Sequence, residues 1–442
     1  MKRFLSLLLG LWLMTGLPVW VAAQTAGTTT APERRGQLEA LPGVVSVSPQ
    51  DKGQFDEKWE VMIRQPLDHD NPAAGTFEQR FYVCHRGFDK PVVFVTEGYS
   101  GSYAARSSFT NEIAERYGAN VVVVEHRYFQ ASTPEPRDWQ YLTVANSMND
   151  LHRINQTLKQ LYPAKWIATG ISKGGQTTIM YNTYFPDDVD ISVPYVAPVC
   201  FGVEDGRHER FIEKVCGTPE ERKKVRTFQY SALLNRDEIQ PLFEKFCNDQ
   251  GLKFRIPIAE VYDFCVLEYS FAFWQWGTPV SDIPERGSDP QVMLDHLLKV
   301  AGPDYFSISD EPSFYVQAAR ELGYYGYDTR PYRRRLANPD RSAYKNYLYR
   351  IMMPEDAPYQ RFSHRVHRDI YRHLRRNDPR MIFVNGEFDP WNAVSVDKRL
   401  FRNKENMLLM VDEGGSHRAR INTLSEEQQT EVWRRIDQWL AE

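Results

Sequence analysis

Ser172 stands in Gly170-Ile171-Ser172-Lys173-Gly174-Gly175, after the short apolar run 166–169 and before a helix-compatible stretch, 176–184. A strand that turns abruptly into a helix at Gly-x-Ser-x-Gly holds a serine hydroxyl at the apex of the turn, where it can attack a carbonyl carbon. Gly170 and Gly174 fit that reading because the turn brings backbone too close for larger side chains. The bare motif also arises by chance in plain turns, and it is the strand before and the helix after that favour a nucleophile.

A serine hydroxyl at neutral pH needs a base to take its proton and an acid to orient that base. In the chain order Ser, acid, His, the acid follows one late strand and the base follows the next. Asp389 lies in Asn385-Gly386-Glu387-Phe388-Asp389-Pro390-Trp391, after the strand-like 381–384; His417 lies in Asp412-Glu413-Gly414-Gly415-Ser416-His417, after 407–411. Glu387 is the competing acid in the same loop, and Asp389 before Pro390 could serve only to start a turn. Of the ten histidines, His417 alone follows a late strand in a Gly-rich loop. His364 and His367 sit on an Arg-rich helical segment with Asp369 as the near carboxylate, a poor metal set, and no metal or other cofactor is expected.

Acyl transfer also requires donors for the oxyanion that develops on the carbonyl oxygen. The backbone N–H of Lys173 is the first candidate. The second is the N–H of Tyr99, in Glu97-Gly98-Tyr99-Ser100-Gly101 after the strand-like run 91–96.

These loops need a scaffold, and the chain reads as one. Strand-like segments at 58–64, 77–85, 91–96, 121–125, 166–169 and 191–196 alternate with helical ones, and their continuous apolar character suits parallel strands covered on both faces. Helix-period segments such as 219–234 and the Arg-rich 363–376 dominate 203–377; strands return at 381–384 and 407–411, and an amphipathic helix over about 426–440 closes the chain. The expected fold class is α/β, an α/β-hydrolase fold with an inserted, mainly helical cap domain. The expected division is a signal peptide 1–23, a flexible leader 24–37, the first part of the hydrolase domain 38–202, the cap 203–377 and the second part 378–442.

Lys2 and Arg3, the largely apolar 4–20 and the small residues Val21-Ala22-Ala23 form the three parts of a secretory signal, with cleavage expected after Ala23 and a secreted or periplasmic product. No later stretch is apolar and long enough to span a bilayer. Losing Lys2 and Arg3 moves the formal charge from -4 to -6, which argues against nucleic acid as partner. The cluster Arg330, Arg333, Arg334, Arg335 reads as a solvated helix face. In an exported chain Cys200, Cys216, Cys247 and Cys265 could form two disulfides of undetermined pairing, leaving Cys84 as a buried thiol.

Gln65-Pro66-Leu67-Asp68-His69, Glu97-Gly98-Tyr99, Glu125-His126-Arg127-Tyr128-Phe129, Gly170-Ile-Ser172-Lys-Gly-Gly175, Phe271-Ala-Phe-Trp274-Gln-Trp276-Gly277 and the Asn385 to Trp391 run together resemble the secreted prolyl tri- and tetrapeptidyl aminopeptidases. The match runs from about Gln65 to His417 and extends to the prolyl carboxypeptidase and dipeptidyl peptidase group. The resemblance implies a serine exopeptidase that releases di-, tri- or tetrapeptides, often ending in proline, from a free amino terminus. It places nucleophile, acid and base on Ser172, Asp389 and His417, as the residues themselves do.

In the 125–129 segment a structural role is expected, through Arg127 pairing and Tyr128 packing. Glu97 and Glu268 are candidate anchors for a substrate ammonium. Glu268, Phe271, Trp274, Trp276 and Tyr324-Tyr325-Gly326-Tyr327 could line an aromatic pocket for proline, or merely pack the cap. A carboxypeptidase-type prolyl peptidase, an esterase or lipase with the same triad, and an inactive binding protein on this scaffold are the competing readings.

Overall fold

The computed structural model describes residues 30–309 and 312–442. The expected signal segment lies outside them. Nine strands form one sheet in the order β1-β2-β3-β5-β4-β6-β7-β8-β9, with β1 Val44–Pro49, β2 Glu57–Pro66, β3 Thr76–His85, β4 Val92–Thr96, β5 Asn120–Val124, β6 Trp166–Ile171, β7 Ile191–Tyr195, β8 Met381–Gly386 and β9 Met407–Asp412. The first three and β5 pair antiparallel; β5, β4, β6, β7, β8 and β9 run parallel.

The helices are α1 Ala31–Glu39, α2 Glu112–Tyr117, α3 Val144–Leu158, α4 Lys173–Tyr184, α5 Arg207–Lys214, α6 Pro219–Leu234, α7 Arg236–Asp249, α8 Ile258–Trp276, α9 Pro290–Val300, α10 Ser313–Gln317, α11 Arg365–Arg376 and α12 Glu426–Ala441. Among the described residues no helix is long and apolar enough to cross a membrane.

β4 and β5 are buried along their whole length, because successive side chains of a central strand must enter opposite apolar layers. Val92 and Phe94 join the core under α3, α4 and α11. Val93 and Val95 join the core under α2 and α12. A third core, rich in Tyr and Phe, belongs to the helical insertion and reaches Trp391 and Val394. This is the α/β-hydrolase fold with helices inserted between β7 and β8.

Three expectations change. Part of the expected leader, 31–37, lies in α1, where a capping box between Thr30 and Glu33 and the pairing of Arg34 with Glu57 at 2.6 Å fasten it to β2. α11 buries Val366, Ile370 and Leu374 in a core of the sheet rather than of the cap, so the insertion ends before Arg365 and not at 377. All five cysteines are buried free thiols; Cys200, Cys216, Cys247 and Cys265 form no pair, Cys216 instead facing the Phe388 carbonyl at 3.3 Å.

The structure also explains the Glu125 to Phe129 run. Arg127 is fully buried; it grips Asp150 with two bonds of 2.6 and 2.7 Å and donates to the carbonyls of Pro66, Leu67 and Tyr141. His69 meets the same carboxylate at 2.7 Å. A buried bidentate pair with its remaining donors satisfied ties the segment after β2 to the one after β5. Tyr128 stacks on Trp139 at 5.6 Å.

Candidate active site

Ser172 joins β6 to α4 with φ 59° and ψ -121°. A side chain held outside the ordinary basins costs on the order of 1–3 kcal/mol, which the surrounding contacts must offset. They are tight: a Cβ on Gly170 would stand 2.3 Å from the Gly174 carbonyl oxygen, and one on Gly175 2.5 Å from that of Tyr195. The Ser172 N–H donates to the Tyr195 carbonyl at 3.0 Å, and Gln176 N–H closes the first helical turn on the Ser172 carbonyl at 2.9 Å. Gly170 and Gly175 are thus required by close approach, whereas a Cβ on Gly174 would stand 3.2 Å from the Thr96 carbonyl oxygen; the strand, turn and helix have the geometry of the expected elbow.

Asp389 and His417 follow β8 and β9, at the same carboxyl-end edge of the parallel strands as Ser172. His417 Nδ1 and Asp389 Oδ2 are 2.6 Å apart and both residues are buried. The other Asp389 oxygen accepts from the Trp391 N–H at 3.1 Å, the turn that Pro390 permits. Glu387 is engaged elsewhere, accepting from the Gly414 N–H at 2.8 Å. His417 Nε2 is buried and has no protein partner among the described residues, which leaves one ring nitrogen oriented by a carboxylate and the other free. The His417 N–H donates to the Gln275 carbonyl at 2.9 Å, so the cap helix α8 holds His417.

Lys173 opens α4, where the first N–H groups have no intrahelical partner and point out of the helix end. Its side chain turns away and is buried: the ammonium donates to the Gly98 carbonyl and lies 4.9 Å from the ring centre of Phe129 and 5.4 Å from that of Tyr99. Burial holds this amine well below the usual lysine range, against the pull of Glu97.

Tyr99 places its N–H near the Glu97 carboxylate and its phenol near the Ser172 hydroxyl. Glu97 also accepts from the Tyr103 hydroxyl at 2.6 Å and the Gly98 N–H at 3.1 Å, so its acceptors are engaged within its own loop.

Glu268 projects from α8 into the tyrosine-rich interior of the cap. Its carboxylate accepts from the Tyr325 hydroxyl at 3.0 and 3.1 Å and from Tyr327 at 2.8 Å. Burial pushes this carboxyl up to about 8, opposed by the two phenol bonds. Phe271, one turn on, stacks on Tyr325 at 3.7 Å and meets Trp391 edge-on at 5.3 Å. Tyr324 lies 5.4 Å from Trp391, whose ring is 6.4 Å from that of His417. Aromatic contacts therefore run without a break from Glu268 to the base.

Trp276, 48% exposed, stands edge-on to His417 at 5.9 Å. Trp274 is buried beside Gly217, 6.1 Å from Phe388, and lines one cavity with Phe271 and Tyr327, facing away from Trp276. Sequence reasoning missed Gln275, whose contribution is a backbone carbonyl, and Trp391 as a wall of the site, although Trp391 stands two residues after the acid.

The sequence pattern of the family described as PS-10 peptidase S37 matches residues 31–441. A prolyl tri/tetrapeptidyl aminopeptidase of Streptomyces mobaraensis is 29% identical over 99% of this chain and 92% of its own length. Prolyl carboxy peptidase like protein 5 of Caenorhabditis elegans is 28% identical over 32% of this chain and 31% of its own. Among solved structures, the proline iminopeptidase of Mycobacterium smegmatis covers 90% of this chain and 98% of its own at 12% identity and a TM-score of 0.38. With the family match over nearly its whole length, the chain is a serine peptidase that belongs to the PS-10 peptidase S37 family.

Proposed function

We propose that this peptidase is an exported exopeptidase that removes three- to four-residue peptides ending in proline from free amino termini. One spacing carries the reading. Glu268 and Gln275 are seven residues apart on α8, a rise of about 10 Å, and Gln275 holds His417. Three extended residues also span about 10 Å. An ammonium held by Glu268 would therefore set the third carbonyl, or with slack the fourth, near Ser172. The aromatic faces of Phe271, Tyr324 and Trp391 between the two ends suit a proline ring. The Streptomyces mobaraensis relative carries the same activity in its name, and the amino-terminal pattern of residues 1–23 supports export.

In the reaction, Ser172 Oγ bonds to the carbonyl carbon as its proton passes to His417 Nε2, and Asp389 stabilises the imidazolium at Nδ1. The oxyanion is met by the Lys173 N–H and the Tyr99 phenol. His417 then gives its proton to the departing amine, leaving an ester on Ser172. Water, deprotonated by the same nitrogen, attacks that ester; the proton returns to Oγ and the short peptide leaves with a free carboxylate.

The test is mass spectrometry of the products from a mixed peptide library, supplied with free and with acetylated amino termini. The expected products are amino-terminal tri- and tetrapeptides with proline at their new carboxyl end, formed at least tenfold more slowly from acetylated chains. Trimming from the carboxyl end, or equal cleavage of free and acetylated peptides, overturns the reading.

A further inference from the structure

The outer surface of the hydrolase domain bears a basic groove that the peptidase site does not use. α11 carries five arginines and one acid, Asp369, which pairs with Arg365 at 3.5 Å and Arg372 at 3.0 Å. Arg368, Arg372, Arg375 and Arg376 line a cavity of about 1220 Å³ whose facing wall brings Lys398 and Arg399. The single carboxylate in its lining, Asp397, is bound to Arg399. Arg368, Arg375, Arg376 and Lys398 have no carboxylate partner among the described residues, in a chain whose formal charge is -4. Such local excess against an acidic background is a field built at one place. Arginine forks match phosphate oxygens in pairs, which isolated lysines do not.

Part of the groove lining is apolar and open. Phe201 and Val215 both line it and are 42% and 43% exposed, and the Arg207 guanidinium lies 3.9 Å over the Phe201 ring. A free phosphate or a hydrophilic polymer gains nothing from apolar lining. A phosphate joined to hydrocarbon engages both parts.

We propose that this groove docks the phosphorylated headgroup of an anionic lipid, the phosphates on the α11 arginines and the start of the acyl region against Phe201 and Val215. The peptidase would then work tethered to a lipid surface, with the groove as its attachment point. α5 separates the two sites: Arg207 lines the groove, while the next residue, His208, meets Trp391 edge-on at 5.3 Å.

The test is sedimentation of the purified protein with vesicles of phosphatidylcholine alone or mixed with phosphatidylglycerol, and with inositol hexakisphosphate as a soluble probe. Binding to the mixed vesicles alone is expected. The triple variant Arg368→Gln/Arg372→Gln/Arg375→Gln should lower partitioning on the order of 100-fold, from the value of three cations near an anionic surface. Phe201→Ser/Val215→Ser should lower it severalfold without changing hexakisphosphate binding. Changing Arg333, Arg334 and Arg335 to Gln should leave partitioning as it was, and all variants should retain peptidase activity. The proposal is overturned if mixed vesicles do not bind, if the 333–335 variant loses as much as the α11 variant, or if hexakisphosphate binds while vesicles ignore the apolar pair.

Discussion

Lys173, the residue after Ser172, folds its side-chain amine back onto the carbonyl of Gly98 and so joins the turn at Ser172 to the loop that carries Tyr99. The fit is close: a Cβ on Gly98 would stand 2.5 Å from Lys173 Cγ. Phe129 follows β5, and Phe314 on α10 adds a third ring 5.8 Å from the ammonium. One buried side chain thus touches the oxyanion loop, the segment after β5 and the cap.

Lys173→Met keeps the length and apolar stem but removes the donor. Loss of this buried hydrogen bond, about 0.5–1.5 kcal/mol, should lower kcat severalfold to tenfold with KM little changed. The rate of fluorophosphonate labelling at Ser172 should fall in parallel. Thermal stability should hold or rise, because the variant no longer buries an amine that is held well below its usual range. A lower melting temperature with labelling unchanged would make Lys173 a packing residue only.

Tyr99→Phe isolates the phenol that faces Ser172. Removing one oxyanion donor costs on the order of 100- to 1000-fold in kcat when that donor is fully engaged. A fall of that kind with KM unchanged supports the phenol as the second donor. Full activity in Tyr99→Phe returns the role to a backbone N–H.

Much of this site was legible because its signals are local. Gly170, Ser172 and Gly175 mark the turn, the two glycines through steric need, and Asp389 and His417 follow strands whose apolar runs are easily read. Glu387 against Asp389 was undecided in sequence, since two acids in one turn differ only in which reaches the histidine; the 2.6 Å contact to His417 Nδ1 separates them. Tyr99 shows the opposite limit. Its position in the loop was foreseeable, but whether N–H or hydroxyl points at the nucleophile depends on Glu97 collecting the loop's N–H groups. α1 was read as a leader because Thr and Ala enrichment around 25–31 hides a helix held by its capping box and by Arg34 on Glu57. Trp274 and Trp276 are two residues apart on one helix and so point to different faces, which a list of aromatics cannot reveal.

For the triad, Ser172→Ala should abolish covalent labelling, and Asp389→Asn should reduce kcat by several orders of magnitude through loss of the histidine's orientation. Glu387→Gln should leave most activity, because its carboxylate serves the Gly414 N–H. Greater damage from Glu387→Gln than from Asp389→Asn, at equal folding, would reassign the acid.

The Glu268 anchor makes a prediction in pH. Burial raises this carboxyl to about 8 in the empty site, so near neutrality it is largely protonated, and an incoming ammonium must displace that proton to gain its ion pair. The preference for free over acetylated peptides, taken as the ratio of their kcat/KM values, should therefore climb as pH rises toward 8. It should fall again as the substrate's own amino group, with a pKa near 8, loses its proton.

Glu268→Gln should flatten the ratio and cost free peptides roughly tenfold to a hundredfold, with little effect on acetylated ones, since both changes delete one interaction. Stability gives an independent reading. A carboxyl whose folded pKa lies above its unfolded value binds more protons in the folded state, so its contribution is present at low pH and is lost as pH rises from about 4.5 toward 8. The melting temperature of Glu268→Gln should accordingly gain on that of the wild type across this window. A pH-independent ratio in the wild type would remove Glu268 as the anchor while leaving the triad untouched.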